Sequence, residues 1–124
     1  MGSAPEDFHF DISEVIRQMA LALPDADEGT SCVNRAFSAG GKNFAFLGEK
    51  DNECRLRLKL EGALEDVTAR AEEDPDTYQV GTHGWTLVVF EPDSPPVEED
   101  LATWVTESFR LLAPKHSLAK FDEG

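Results

Sequence analysis

The segment Cys54 to Leu60 reads CRLRLKL. Successive side chains of an extended strand point to opposite faces, so Arg55, Arg57 and Lys59 share one side and Cys54, Leu56, Leu58 and Leu60 the other. Cations at alternate strand positions stand about 6.6 Å apart, near the scale of neighbouring phosphates on one nucleic-acid strand. The chemistry this row offers is phosphate recognition. The competing use of the same cations is pairing across the sheet with acids such as Glu28 or Glu49, or keeping an open face soluble. Such pairs contribute only about 0.2 to 1 kcal/mol each.

Residue types that make and break bonds are present but scattered. His9, His83 and His116 lie far apart, and none has a His-x-x-x-His or Cys/His companion, so no metal centre is expected. Gly40-Gly41 belongs to neither a G-x-G-x-x-G nor a P-loop pattern, and there is no G-x-S-x-G elbow. His83 could join Cys32 or Ser108 in a site, although a turn histidine before a core tryptophan reads more simply as structural. The acid clusters Asp25-Asp27-Glu28 and Glu72-Glu73-Asp74-Asp76 lack EF-hand spacing and its glycine, and read as solvated loops. With no convergent titratable set, the expectation is a protein without enzymatic activity and without a cofactor. Cys32 and Cys54 lack ligand or redox spacing and read as reduced strand residues.

Net charge limits the partners. The 124 residues carry 11 Lys and Arg against 25 Asp and Glu, a formal charge of -14, which opposes unguided attraction to DNA, RNA or anionic lipid. The charge is uneven: residues 29–60 sum to +3 and 108–121 to +3, whereas 61–107 sum to -12 and 1–28 to -6. At physiological salt the screening length is about 8 Å, so a basic face can act partly independently of acids on the far side of a small domain. No apolar run approaches a membrane span and the start MGSAPEDFHF lacks secretory-signal character, so a cytoplasmic protein without membrane contact is expected.

The elements that must position these residues follow from periodicity. Ile12, Val15, Ile16, Met19, Ala20 and Leu23 form one helical stripe, opened by Asp11 with Glu14 in a capping-box pattern, with Phe10 and Val15 as a staple, and stopped by Pro24. Residues 29 to 60 predict three strands, with a Gly40-Gly41 hairpin turn and a longer turn over Gly48 to Glu53. Leu64, Val67, Thr68 and Ala71 predict a short helix that Pro75 ends. Tyr78 to Val80 and Trp85 to Phe90 predict a second hairpin. Leu101, Trp104, Val105, Ser108, Phe109 and Leu112 predict a third helix, ending or kinking at Pro114, with Glu98, Glu99 and Asp100 at its positive end and Arg110 at its negative end. The order α-β-β-β-α-β-β-α implies an α+β two-layer sandwich, a five-stranded antiparallel sheet with helices on one face. One domain over 8–121 is expected, with 1–7 and 122–124 frayed.

The chain resembles the MmcQ/YjbR family of small bacterial proteins. The residues carrying the resemblance are LALPDADEG after the first helix, NRAFSAGGKNFAFL at 34–47, the LRLKL strand, HGW at 83–85 and ESFRLLAPK at 107–115. The resemblance implies an α+β sandwich similar to that of secretion chaperones, with strands likened to a double-wing DNA-binding motif, and a DNA-binding label. Its pattern points to Arg35, Lys42, Phe44, Lys59, His83, Trp85, Ser108 and Arg110, with Phe109 where tyrosine is common. Weighed by residue type, Phe44 and Trp85 go mainly to the core, and Ser108 to a hydroxyl bonded to its own helix. Arg35, Lys42, Arg55, Arg57 and Lys59 remain as the nucleic-acid-binding candidates, with the Gly40-Gly41 hairpin as a wing. Two readings follow for a monomer or homodimer. One is a non-enzymatic DNA-binding module, weak and salt dependent; the other is an acidic, chaperone-like adaptor for a basic protein partner.

Overall fold

A computed structural model describes residues 11–31 and 34–123. His9, Phe10 and Cys32, and with them the staple and half of the cysteine reading, lie outside those residues. Helix α1 spans Ile12–Leu21, and the Asp11 carboxylate caps it by accepting from the amides of Ser13 and Glu14. Four strands follow: β1 Ala26–Ser31, β2 Asn34–Ala39, β3 Lys42–Lys50 and β4 Glu53–Lys59. Helix α2 is Leu64–Glu73, β5 Tyr78–Val80, and β6 Trp85–Phe90, entered through a 3-10 turn at Thr82–Gly84. Helices α3, Glu98–Leu112, and α4, Lys115–Glu123, complete the chain.

The strands form one antiparallel sheet in the order β1-β2-β3-β4-β6-β5. The α+β class stands, with six strands where five were expected. The additional strand is β1, whose sequence ADEGTS has no apolar alternation. It lies at the sheet edge, where burial does not demand a hydrophobic face. The last helix also divides. Ala113 is extended, with ψ 151°, because the following proline disfavours helical backbone before it; α4 starts afresh beyond Pro114.

One sheet face is dry. Ile16 and Ala20 of α1 and Leu101, Trp104, Val105 and Phe109 of α3 pack against Phe37, Leu47, Leu56, Leu58 and Val88. Phe44 and Phe109 meet edge to face at 5.5 Å. Fully burying each such side chain contributes about 1.5 to 3 kcal/mol. Arg70 ties the sheet margin to the helices: it pairs with Asp66 and Asp100, both at 3.0 Å, and lies over the rings of Tyr78 and Trp104. The Tyr78 hydroxyl and then Asp100 and Asp66 hold its guanidinium above its ordinary pKa against some burial.

Pairing between β2 and β3 shifts register after Phe37, where Ala45 opposes Phe37 but Asn43 opposes Ser38. Phe44 is therefore an extra residue on β3, a β-bulge. Beyond the bulge the remaining side chains of β3 change faces, which decides where Lys42 points.

Candidate nucleic-acid interface

Among the described residues no helix covers the second face of the sheet, which is built on β4. Cys54, Leu56, Leu58 and Leu60 are buried, so alternation sends Arg55, Arg57 and Lys59 to the open side, as expected. Across the register Arg57 stands between Phe46 of β3 and Leu87 of β6, Lys59 beside Trp85, and Arg55 between Gly48 and Val89. The result is a row of cations set among aromatic and aliphatic side chains.

The Arg57 guanidinium carbon lies 5.6 Å from the centre of the Trp85 ring, and Trp85 is 6.2 Å from Phe46 with the rings tilted by 47°. Arg55 pairs with Glu53 of its own strand at 3.4 Å, with both side chains nearly half exposed. In such a setting an ion pair contributes little. Among the described residues, Arg57 and Lys59 have no carboxylate within ion-pair distance. The two acids named as their neutralisers face the other way. Glu28 opposes buried Phe37 and accepts from Arg17 of α1 at 2.7 Å, while Glu49 accepts from the hydroxyl of Ser13.

Arg55, Arg57 and Trp85 line a groove of about 780 Å³ bounded by Asn34 and Phe46 on one side and Val80 to Thr82 on the other, with Lys59 just outside it. The Asn34 side chain lies against Gly48, where a Cβ would strike it. The opposite rim depends on the HGW sequence. His83 and Gly84 both have positive φ, 57° and 83°, and a Cβ on Gly84 would collide with the Leu60 carbonyl. In return the Leu60 amide donates to the Gly84 carbonyl at 2.9 Å. The turn thus delivers Trp85 onto the open face opposite Lys59.

Several expectations about individual residues are corrected. Trp85 belongs to the open face, half-buried in the groove wall, because Thr86 takes the inward position of β6; Phe44 is core as expected. Arg35 and Lys42 do not join the cation row. Arg35 opposes Leu47 and Lys42 opposes Ala39, both core residues, so these two cations lie at exposed rims of the helix-bearing side. Ser108 does not bond its own helix. Its hydroxyl donates to the Phe44 carbonyl of β3 at 2.5 Å and accepts from the Lys59 amide of β4 at 2.9 Å.

The remaining motif positions serve other ends of the molecule. His83 is exposed in its turn. Arg110 stacks 4.6 Å over Phe121 and pairs with Asp122 at 3.5 Å, holding α4 against α3. In the Gly40-Gly41 hairpin, Gly40 lies against Pro114, where a Cβ would meet the ring at 2.5 Å, while Gly41 faces open space. Cys54 is a buried thiol, pushed up from its ordinary pKa by burial. Among the described residues no cluster of three or more His, Cys, Asp or Glu side chains is arranged to hold a metal ion. Nor is any helix long and apolar enough to cross a membrane.

Residues 21–111 match the family described as YjbR, well over half of the chain. The chain belongs to the YjbR family. A crystal structure of the Deinococcus radiodurans protein DR2400, a DUF419-domain protein, is similar to this YjbR protein with a TM-score of 0.63. The likeness covers 80% of this chain and 76% of that one at 20% identity, which speaks to fold alone. No curated protein matches significantly. The matched span contains the whole cation row, the HGW turn and Ser108, so the groove of this YjbR protein is built within the family domain.

Proposed function

We propose that this YjbR protein is a non-enzymatic DNA-binding module that works through the open face of its sheet. One observation carries the reading: Arg57 and Lys59 stand on that face beside Trp85 with no carboxylate of the described residues to neutralise them. Cations without a carboxylate partner among the described residues, on a protein of charge -14, have an anionic ligand as their simplest use. Arg35 and Lys42 are left out of this interface, because the register puts them on the other side of the sheet.

The test is fluorescence anisotropy with labelled DNA, offered both as duplex and as unpaired strand, at about 50 mM and about 200 mM salt. With about three phosphate contacts, affinity falls about 40-fold for the duplex and about 20-fold for the unpaired strand over that range. Replacing Arg55, Arg57 and Lys59 together by Ala abolishes the binding. Absence of affinity for either form at the lower salt, or full retention by the triple variant, refutes the proposal.

The acids of α2 favour a second reading. Glu65, Asp66, Glu72 and Glu73 are exposed on one helix whose only cation, Arg70, is already engaged. A basic protein partner would sit there, as an adaptor function requires. Charge reversal of Glu72 and Glu73 to Lys releases such a partner and leaves DNA binding at the opposite face intact.

A further inference from the structure

On the DNA reading of the open face given above, we infer that the groove takes an unpaired strand rather than a duplex, with a base stacked on Trp85 in the place Arg57 now occupies. Three properties of the groove converge on this. The first is the pairing of ring faces with cations. Trp85 and Phe46 stand 6.2 Å apart in the groove wall, with Arg57 over the tryptophan and Lys59 directly opposite it in the register. Aromatic platforms beside a cationic track are the arrangement that holds single strands, because every base has a face to stack and every linkage a charge to meet.

The second is the number of charges. A duplex presents one charge per about 1.7 Å of axis, and a surface reading it needs many cations along a broad front. Here the front is three residues of one strand, and Arg35 and Lys42 face the other side. A long, dense polyanion leaving the groove meets a surface whose total charge is -14. A strand segment of a few nucleotides does not.

The third is size. The groove, at about 780 Å³, lies in the range of clefts that enclose small ligands, and the rim at Val80 to Thr82 stands beside it. Asn34 and Gln79 line its margins, and among the described residues neither side chain makes a hydrogen bond, so both amides are available to base edges. Arg57 is the moving part. It covers the indole, and a base that takes its place leaves the guanidinium to swing to the adjacent phosphate, exchanging one π contact for a charge-assisted hydrogen bond.

The experiment compares one short mixed-sequence oligodeoxynucleotide as single strand, the same sequence as blunt duplex, and a mononucleotide, all with the full chain at about 50 mM salt. The expected result is single-strand affinity at least about 10-fold above duplex, with quenching of tryptophan fluorescence. Trp104 of α3 is buried in the core, so the quenched emitter is Trp85. Trp85→Leu lowers strand affinity about 5- to 100-fold and removes the quenching, while Trp85→Phe, which keeps a ring, restores most of the affinity. Should Trp85→Leu unfold, Arg57→Ala at its exposed position serves instead: it weakens the strand and flattens the salt dependence by about 0.7 in slope. Duplex binding as tight as or tighter than the single strand overturns the inference and leaves DNA binding at this face standing. A mononucleotide bound as tightly as the strand overturns it as well. Absence of binding to every form removes both.

Discussion

The Ser108 hydroxyl donates to the backbone carbonyl of Phe44 at 2.5 Å, the bulged residue of β3. The same oxygen accepts from the Lys59 amide at 2.9 Å. The β3–β4 ladder stops at the pair Ala45 and Leu58, and the next two backbone groups are the ones that Ser108 joins. A helix side chain thus completes a rung that the bulge opens. This explains a hydroxyl in an otherwise apolar helical stripe, and it fixes the backbone under one of the three open-face cations.

Ser108→Ala leaves the buried Phe44 carbonyl and the half-buried Lys59 amide without this partner. The expected loss is about 1 to 3 kcal/mol, read as a lower urea midpoint at unchanged slope. Ser108→Val, which adds bulk without a donor, loses more. Wild-type stability in Ser108→Ala would show that the bulge finds its partners elsewhere.

Glu107, one residue earlier, caps a helix it does not belong to. Its carboxylate accepts from the amides of Glu61, Gly62 and Ala63 at 3.2, 2.6 and 3.0 Å, immediately before α2. Helix α2 has no side-chain cap of its own, since its N-cap residue is Ala63. Glu107→Ala therefore loosens the start of α2 by about 0.5 to 2 kcal/mol, and Glu107→Gln, which retains one acceptor oxygen, by less. Amide hydrogen exchange at residues 64–67 reads the change locally, and unaltered protection there would reject it.

The strand that carries the cations was legible because its period is 2 and every second residue is apolar, which leaves one assignment of faces. Other parts were not, for reasons that can be named. Lys42 has the same parity as Phe46 and would share its face on a regular strand; one extra residue at Phe44 turns it away. WTLVVF is apolar at nearly every position, so no alternation marks Trp85 as outward. Strand β1 is polar because an edge strand needs no dry face. Arg35 shares parity with buried Phe37 and Ala39, but buried Ala36, between Arg35 and Phe37, blurs the alternation that would mark its face. Arg70 gave no local signal, because its partners Asp100, Tyr78 and Trp104 come from three separate stretches.

Gly84 is the position at which the groove is most exposed to a single substitution. Its φ is 83°, and the Leu60 carbonyl occupies the space a Cβ would need. Gly84→Ala combines a left-handed backbone with a collision against backbone, not against a side chain that can move aside. About 2 to 3 kcal/mol of destabilisation is expected, with Trp85 displaced. Gly41, with φ 84° but open space around it, isolates the conformational part: Gly41→Ala costs about 1 to 2 kcal/mol. Equal losses at the two sites would mean that the Leu60 contact is not what holds the turn.

Acid should release the last helix before it unfolds the sheet. The Asp25 carboxylate accepts from Lys120 and from the Ser117 hydroxyl of α4, each at 2.7 Å, with His116 at 3.5 Å. The Lys120 ammonium first, and then the Ser117 hydroxyl, hold the Asp25 carboxyl below its ordinary pKa, outweighing the opposing effect of desolvation. A carboxyl whose folded pKa lies below its unfolded value stabilises fully above the unfolded value, near about 3.9, and that stabilisation disappears as pH falls through the folded one. The contribution of the Asp25 carboxylate to α4 docking is therefore fully present above about pH 4 and is lost below it. The substitution that isolates the charge is Asp25→Asn, because Asp25 has φ 60° and Asn accepts the left-handed region nearly as well as Asp. Phe121 packs on Phe109 at 5.6 Å and reports the docking, so ring chemical shifts followed from about pH 5 down to about pH 2 read the transition. The wild type shows an acid step in Phe121 that precedes the loss of sheet signals, whereas Asp25→Asn shows weaker docking at neutral pH and no such step. An identical acid profile in both proteins would assign the step to another carboxylate.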